Sequence, residues 1–332
     1  MITRRTFLTG SAAVGLAAAL GPVGCGREPW EPRAYRKTAL SSVSLFRAEV
    51  YDEALLEDLI VRGLTDHALA VEGKRVLLKP NLVEWHPDHP VNTHPAVVGA
   101  AVEAVRRLGA REVVVAEGPG HRRDTEYLLE ASGLAETVRR LRVPFVDLNV
   151  DPYEPVRPPS RYTGQPALFM PATLLAADLV ISMPKLKTHH WVGATLSMKN
   201  LLGTLPGAKY GWPKNAIHWW GIEKTILDVN ATVGPAFAIV DGVVAMEGDG
   251  PVYGQAKSAG VVAMGPDCVA VDATCARLMG LKPERIAYLA EASRFLGNLE
   301  EAAIPQRAEA LETFQNDFTI LDVFAHLKDE KA

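Results

Sequence analysis

Six short runs rich in Val, Ile, Leu and Ala, separated by stretches of helical periodicity, limit what this 332-residue chain can fold into. They are 75-RVLLK-79, 112-EVVVAE-117, 143-VPFVDL-148, 178-DLVISM-183, 236-AFAIVDG-242 and 260-GVVAMG-265. A strand with one wet face alternates apolar and polar residues, whereas a strand covered on both faces reads as a continuous apolar run. Apolar residues recur at helical spacing over 95–108, 125–140, 195–202, 215–229, 267–279 and 283–296. Together these predict an α/β fold, a mostly parallel sheet flanked by helices. In such sheets ligands sit in the crevice beyond the carboxyl ends of the strands.

The first 25 residues stand apart from this pattern. Thr3-Arg4-Arg5-Thr6-Phe7-Leu8 precedes 10-GSAAVGLAAALG-21, a charged lead followed by a short apolar run. That run is shorter than the roughly 20 residues needed to cross a bilayer. The paired arginines followed by Phe-Leu resemble a twin-arginine signal, which implies the twin-arginine export machinery as a partner and a periplasmic or other extracytoplasmic location. Cys25 follows Pro22-Val23-Gly24, an approach resembling a lipoprotein cleavage box that lacks its leucine. Lipid on Cys25, soluble release and retention of the segment as a membrane anchor are the alternatives. Residues 26–40 read as a polar linker and 41–332 as the folded part, with two lobes dividing near residue 200 as an option. Residues 151–171 carry six prolines and no period, so they read as a crossing loop or a short excursion.

Composition removes some classes of function. A formal net charge of -4 and the absence of a basic stripe interleaved with aromatics leave no basis for nucleic-acid binding. Three cysteines without a CxxC pair exclude an all-cysteine iron–sulfur cluster. Cys268 and Cys275 lie two helical turns apart, too far to bridge, and read as buried free thiols.

Polar residues concentrate where the strands end. The first run exits into Lys79-Pro80-Asn81, the second into Glu117-Gly118-Pro119-Gly120, and the fourth into 183-MPKLKTHHWVGATLSMKN-200. Lys79, Lys185, Lys187 and Lys199 around one crevice would bind a carboxylate or phosphate. Amides at the start of a helix at 195–202 would add positive potential. Crowded ammonium groups lower one another's pKa, so one lysine could act as a base near neutral pH. His189 and His218 could move protons or ligate a metal. Asp241, Glu247, Asp249 and Asp272 supply carboxylates for charge balance or a hard cation. Trp191, Trp212, Trp219 and Trp220 could exclude water. Gly118-x-Gly120 lacks the third glycine of a dinucleotide fingerprint.

Lys79-Pro80-Asn81, Pro184-Lys185-x-Lys187-Thr188-His189, 198-MKNLLG-203, 210-YGWPKN-215 with His218, and 247-EGDGP-251 together resemble the family catalogued as domain of unknown function 362 (DUF362). The resemblance runs from about residue 74 to 297. Some members of that family carry ferredoxin-type cluster motifs; this chain has no such cysteines, so cluster chemistry is not implied. A looser likeness in layout, to lactate racemases, is one of fold and does not transfer activity. These considerations nominate Lys79, Lys185, Lys187 and His189 as catalytic residues. Asn81, Lys199, Asn200, Trp212, Lys214 and Asp249 are the ligand-binding candidates, and His189 with His218 the candidates for a divalent metal. Two functions are expected from this set. One is an enzyme acting on a small anion by Lys/His acid–base chemistry; the other is an extracytoplasmic protein that binds an anion or metal without turnover.

Overall fold

A computed structural model of the chain describes residues 28–31, 35, 37–120, 124–234 and 236–329. The signal segment and Cys25 lie outside the described residues. The strands in chain order are β1 (Val43–Arg47), β2 (Arg75–Pro80), β3 (Glu112–Glu117), β4 (Phe145–Asp147), β5 (Tyr153–Val156) and β6 (Leu168–Pro171), followed by β7 (Leu179–Met183), β8 (Lys185–His189), β9 (Gly193–Thr195), β10 (Phe237–Glu247), β11 (Gln255–Gly265) and β12 (Gln306–Ala308).

Ten of these strands form one sheet, in which β12-β1-β11-β10-β7-β2-β3-β4 lie side by side and β8 with β9 attach to β10. The block from β10 to β4 is parallel; β11 runs antiparallel to both β10 and β1. The sheet takes strands from both sides of residue 200.

Side-chain alternation along the parallel strands explains their continuous apolar runs. Leu77, Val114, Val180 and Val240 join one core, while Val76, Leu78, Val113, Val115 and Ile181 join the other. Helices Glu53–Asp66 and Pro95–Arg107 cover the second face; Ile222–Val233 and Cys268–Leu278 cover the first. Each fully buried Val, Leu or Ile contributes about 1.5–3 kcal/mol, so both faces of the sheet are held firmly.

Several boundaries differ from the sequence reading, each for a local reason. The expected helix at 125–140 is two helices, Thr125–Ala131 and Leu134–Arg140, broken at Gly133 with φ 78°. The stretch 215–229 likewise divides, into Asn215–Trp219 and Ile222–Val233, around Gly221 with φ 91°. At 195–202 the helix is only Ser197–Asn200, because Gly193–Thr195 is a strand. At 283–296 the helix narrows to Ala287–Ala292 behind a 3-10 turn. Residues 151–171 include the small antiparallel pair β5–β6, an excursion from the main sheet.

The expected linker is partly seated on the fold. Trp30 bridges to Ser160 and stacks on Phe295, with ring centroids 4.7 Å apart. The Arg294 guanidinium sits 4.6 Å over Trp30 and donates to Glu28, and the Tyr35 hydroxyl donates to the Ala231 carbonyl.

Candidate functional site

The polar segment that follows the fourth run opens with a strand, β8. Pro184 interrupts the ladder after β7, and β8 then continues alongside β10, so that Lys185 pairs with Asp241 and Lys187 with Met246. β10 is 11 residues long and its partner β11 equally so, with a bulge at Gly242/Val244. This hairpin, with β8 and β9, extends the sheet past the point where β2 and β3 stop. Lys185-Leu186-Lys187-Thr188-His189 therefore has two faces of opposite character, Leu186 in the core and Lys187 with His189 on a cavity.

The cavity has a volume of about 500 Å³, within the usual range of about 300–1,000 Å³ for small-molecule sites. Among the described residues its wall holds four lysines, Lys79, Lys187, Lys199 and Lys214, and a single carboxylate, Glu117. Lys79 is the penultimate residue of β2 and Glu117 ends the adjacent β3; the two side chains are ion-paired and almost wholly buried. Lys79 also donates to the carbonyl of Pro80 at 3.0 Å and to Asn200 Oδ1 at 3.2 Å. Asn200 Nδ2 donates in turn to the Lys79 carbonyl and to Ser182 Oγ, tying the short helix to β2 and β7.

The other lysines have no carboxylate within ion-pair distance among the described residues. Lys187 Nζ donates to the carbonyls of Val91 at 2.7 Å and Pro251 at 3.2 Å. Lys214 Nζ reaches the carbonyls of Gly118 at 2.6 Å and Gly203 at 3.2 Å. Lys214 achieves this from a left-handed backbone, φ 60°, a conformation that costs a non-glycine residue about 1–2 kcal/mol. Lys199 Nζ faces the cavity with no hydrogen-bond or ion-pair partner among the described residues.

Burial, more than mutual repulsion, lowers these pKa values, because the ammonium form loses its water. Lys214 falls to about 7 and Lys199 to about 8, the latter also feeling the charge of Lys79. Lys187 lies well below its usual value, through burial and then through Lys199 and Lys185. Lys79 is lowered by burial while Glu117 acts against the shift.

His189 is held neutral by burial and by Lys199, His190 and Lys187. Its Nδ1 accepts from the Trp191 amide at 3.0 Å, which assigns the ring proton to Nε2. His218 packs edge-on against Trp191 at 4.5 Å, and its pKa is lowered by burial and then by Lys199. Two buried polar atoms on the cavity wall, Asn81 Oδ1 and Thr195 Oγ1, have no partner among the described residues. A buried group left unpaired costs about 1–3 kcal/mol, a cost that a bound ligand would remove.

Close backbone approach at this site depends on two glycines. A Cβ on Gly203 would lie 2.0 Å from Glu117 Oε1 and 2.7 Å from Lys79 Nζ. On Gly118 it would lie 2.7 Å from the Gly203 carbonyl and 3.1 Å from Lys214 Nζ.

Of the residues nominated from sequence, Lys79, Asn81, Lys187, His189, Lys199, Asn200, Lys214 and His218 meet at this cavity. Lys185, Trp212 and Asp249 are absent from its wall. Lys185 is fixed by Asp241 at 2.5 Å, the Tyr51 hydroxyl at 2.9 Å and the Val244 carbonyl at 3.1 Å. Trp212 is 46% exposed, and Asp249 stands 3.7 Å from His190.

The acids expected to balance charge are committed elsewhere. Asp241 holds Lys185 and Glu247 holds Lys257. Asp272 accepts the amides of Ser197 and Met198 at 2.8 and 3.0 Å. The start of that short helix is thereby capped by a carboxylate instead of being open to a ligand. Among the described residues no group of three or more His, Cys, Asp or Glu gathers to hold a metal, so His189 and His218 have no third ligand of these types there.

Sequence reasoning passed over Glu117 and Thr195 as site residues. The signal for Glu117 was present in two neighbouring apolar runs that each end in an ionisable residue. Thr195 carried no such signal, because only the β8–β9 hairpin brings it opposite Lys187.

The chain is 28% identical over 273 residues to a thylakoid-associated protein of Synechocystis sp., covering 77% of this chain and 79% of the relative. Among solved structures, the lactate racemase apoprotein of Thermoanaerobacterium thermosaccharolyticum aligns with a TM-score of 0.42 at 14% identity, over 65% of this chain and 54% of that one. A Thermotoga maritima protein aligns with a TM-score of 0.36 at 13% identity, over 69% of this chain and 59% of that one. The chain thus spans between half and three-fifths of the length of these two structures. Residues 1–21 match the twin-arginine translocation signal, which supports export across a membrane, and no helix among the described residues is long and apolar enough to cross one. The family model described as domain of unknown function (DUF362) matches residues 76–277, and the chain belongs to that family.

Proposed function

We propose that this protein is an exported enzyme that binds a small carboxylate- or phosphate-bearing molecule in the lysine cavity and moves a proton on it. The observation that carries this reading is the excess of positive charge, four lysines against one carboxylate among the described residues of the wall. Such a concentration of partly desolvated cations is costly without an anion and favourable with one. Unpartnered Asn81 Oδ1 and Thr195 Oγ1 favour a ligand that also carries a hydroxyl. Lysines lowered to about 7 and about 8 are partly neutral near physiological pH and can accept a proton there. Neutral His189 and His218 stand in the same wall as further acids or bases.

The test begins with calorimetry of the purified protein against sulfate and succinate, neither of which titrates above pH 7. Binding of either is expected, weakened about tenfold or more by Lys199→Met. Proton chemistry is then read by NMR in heavy water, as deuterium uptake at carbon in a panel of small hydroxy acids, oxo acids and phosphate esters. Absence of anion binding would overturn the assignment of the site. Binding without any exchange would instead make the protein a carrier of small anions, and the catalytic part of the reading would fall.

A further inference from the structure

The geometry points to Lys199 as a covalent amine: we propose that it condenses with an aldehyde or ketone carried by the bound anion to form an imine. This rests on the anion reading of the cavity and adds the chemical class of the substrate. Three of the four cavity lysines are fastened, Lys79 by Glu117 and Asn200, Lys187 and Lys214 each by two backbone carbonyls. Their Nζ atoms are held in place by those acceptors. Lys199 has no acceptor among the described residues, so nothing there fixes its amine or demands that it stay protonated.

The surroundings suit a nucleophile. Lys199 rises from a turn anchored by Asp272 through the amides of Ser197 and Met198, so its backbone is fixed while its side chain is free. Trp191, Leu202, Ile217 and Ile222 contribute apolar wall, and a desolvated amine beside other cations is activated by loss of its proton. Its pKa of about 8 leaves a substantial neutral fraction near physiological pH. His189 and His218 both feel its charge and are themselves neutral.

The step balances without an outside reagent. The neutral Nζ lone pair attacks the carbonyl carbon, the C–N bond forms, and the carbonyl electron pair moves to oxygen, which takes a proton. The carbinolamine then loses that oxygen as water, with neutral His189 or His218 first taking a proton from the nitrogen and then returning it to the departing oxygen. Nitrogen gives up its two hydrogens over the sequence, so amine and carbonyl become imine and one water. Lys187 and Lys214, each with one N–H not used by a carbonyl, meanwhile hold the acid group of the same molecule.

Borohydride reduction tests this. The full chain is incubated with pyruvate, and separately with glyceraldehyde 3-phosphate, then reduced and examined by intact mass and peptide mapping. One stable adduct is expected on the peptide containing residue 199, suppressed by excess sulfate. In Lys199→Arg, which keeps the charge, and in Lys199→Met, its yield should drop below roughly one tenth of wild type, with melting curves confirming that both variants fold. No adduct from either probe, while sulfate still binds, would overturn the imine and leave the anion site standing. Adducts unchanged in both variants would also overturn it, and failure of sulfate to bind would sink the underlying reading.

Discussion

An anion entering the lysine cavity should draw protons with it. Lys199 falls from 10.5 to about 8 because burial strips water from its ammonium, a change worth about 3 kcal/mol. A single negative charge about 4 Å away, at an effective dielectric near 20, returns about 4 kcal/mol. The bound state therefore restores the ammonium, and Lys214, lowered to about 7, shifts the same way. Between about pH 8 and pH 10 the affinity for sulfate should fall by roughly tenfold per pH unit for each proton taken up. Calorimetry in buffers of different ionisation enthalpy counts those protons directly, and one to two are expected near pH 9. The empty protein should behave oppositely. Its lysines are lowered in the folded state, so the unfolded chain binds more protons and stability rises from about pH 7 toward pH 10. Binding heats independent of buffer, with an affinity flat over this window, would refute the argument.

Other substitutions separate the cavity from its frame. Lys185→Met should destabilise the fold by about 3–5 kcal/mol, because Asp241 would be left buried without its cation; urea unfolding measures this, and an unchanged midpoint would show that the pair is not structural. Gly203→Ala should cost about 1–3 kcal/mol through the clash with Glu117 and Lys79, and it should weaken sulfate binding as well. Trp30→Ala should lower stability by about 1 kcal/mol through loss of its stacking on Phe295 while leaving sulfate affinity unchanged.

Much of the parallel sheet was legible because strands buried on both faces announce themselves as apolar runs. β8 was not, although Lys185-Leu186-Lys187-Thr188-His189 alternates as a strand should. Its polar face looks into a cavity, and charged residues facing a cavity resemble charged residues facing water in a one-dimensional reading. The division of labour between Lys185 and Lys187 was equally hidden. It arises from an irregular register against β10, which gives Lys185 the carboxylate of a residue 56 positions away and turns Lys187 toward two carbonyls. β1, β12 and the helix Glu53–Asp66 were missed, since the first two are short and the helix lacks a strong stop. The crowded set expected from sequence was Lys79, Lys185, Lys187 and Lys199, whereas Lys214 and not Lys185 stands on the cavity wall. The main physical cause of the lowered lysine pKa values, desolvation, depends on a wall assembled from distant segments.

The ring of Trp30 has a bearing on how this chain leaves the cell interior. Its resting place against Phe295 does not exist until the ribosome has made nearly nine-tenths of the polypeptide, about 265 residues later. Translocation threading the nascent chain would pull the leader away before that seat was built. A route that carries finished molecules leaves time for Trp30 to reach that seat before export.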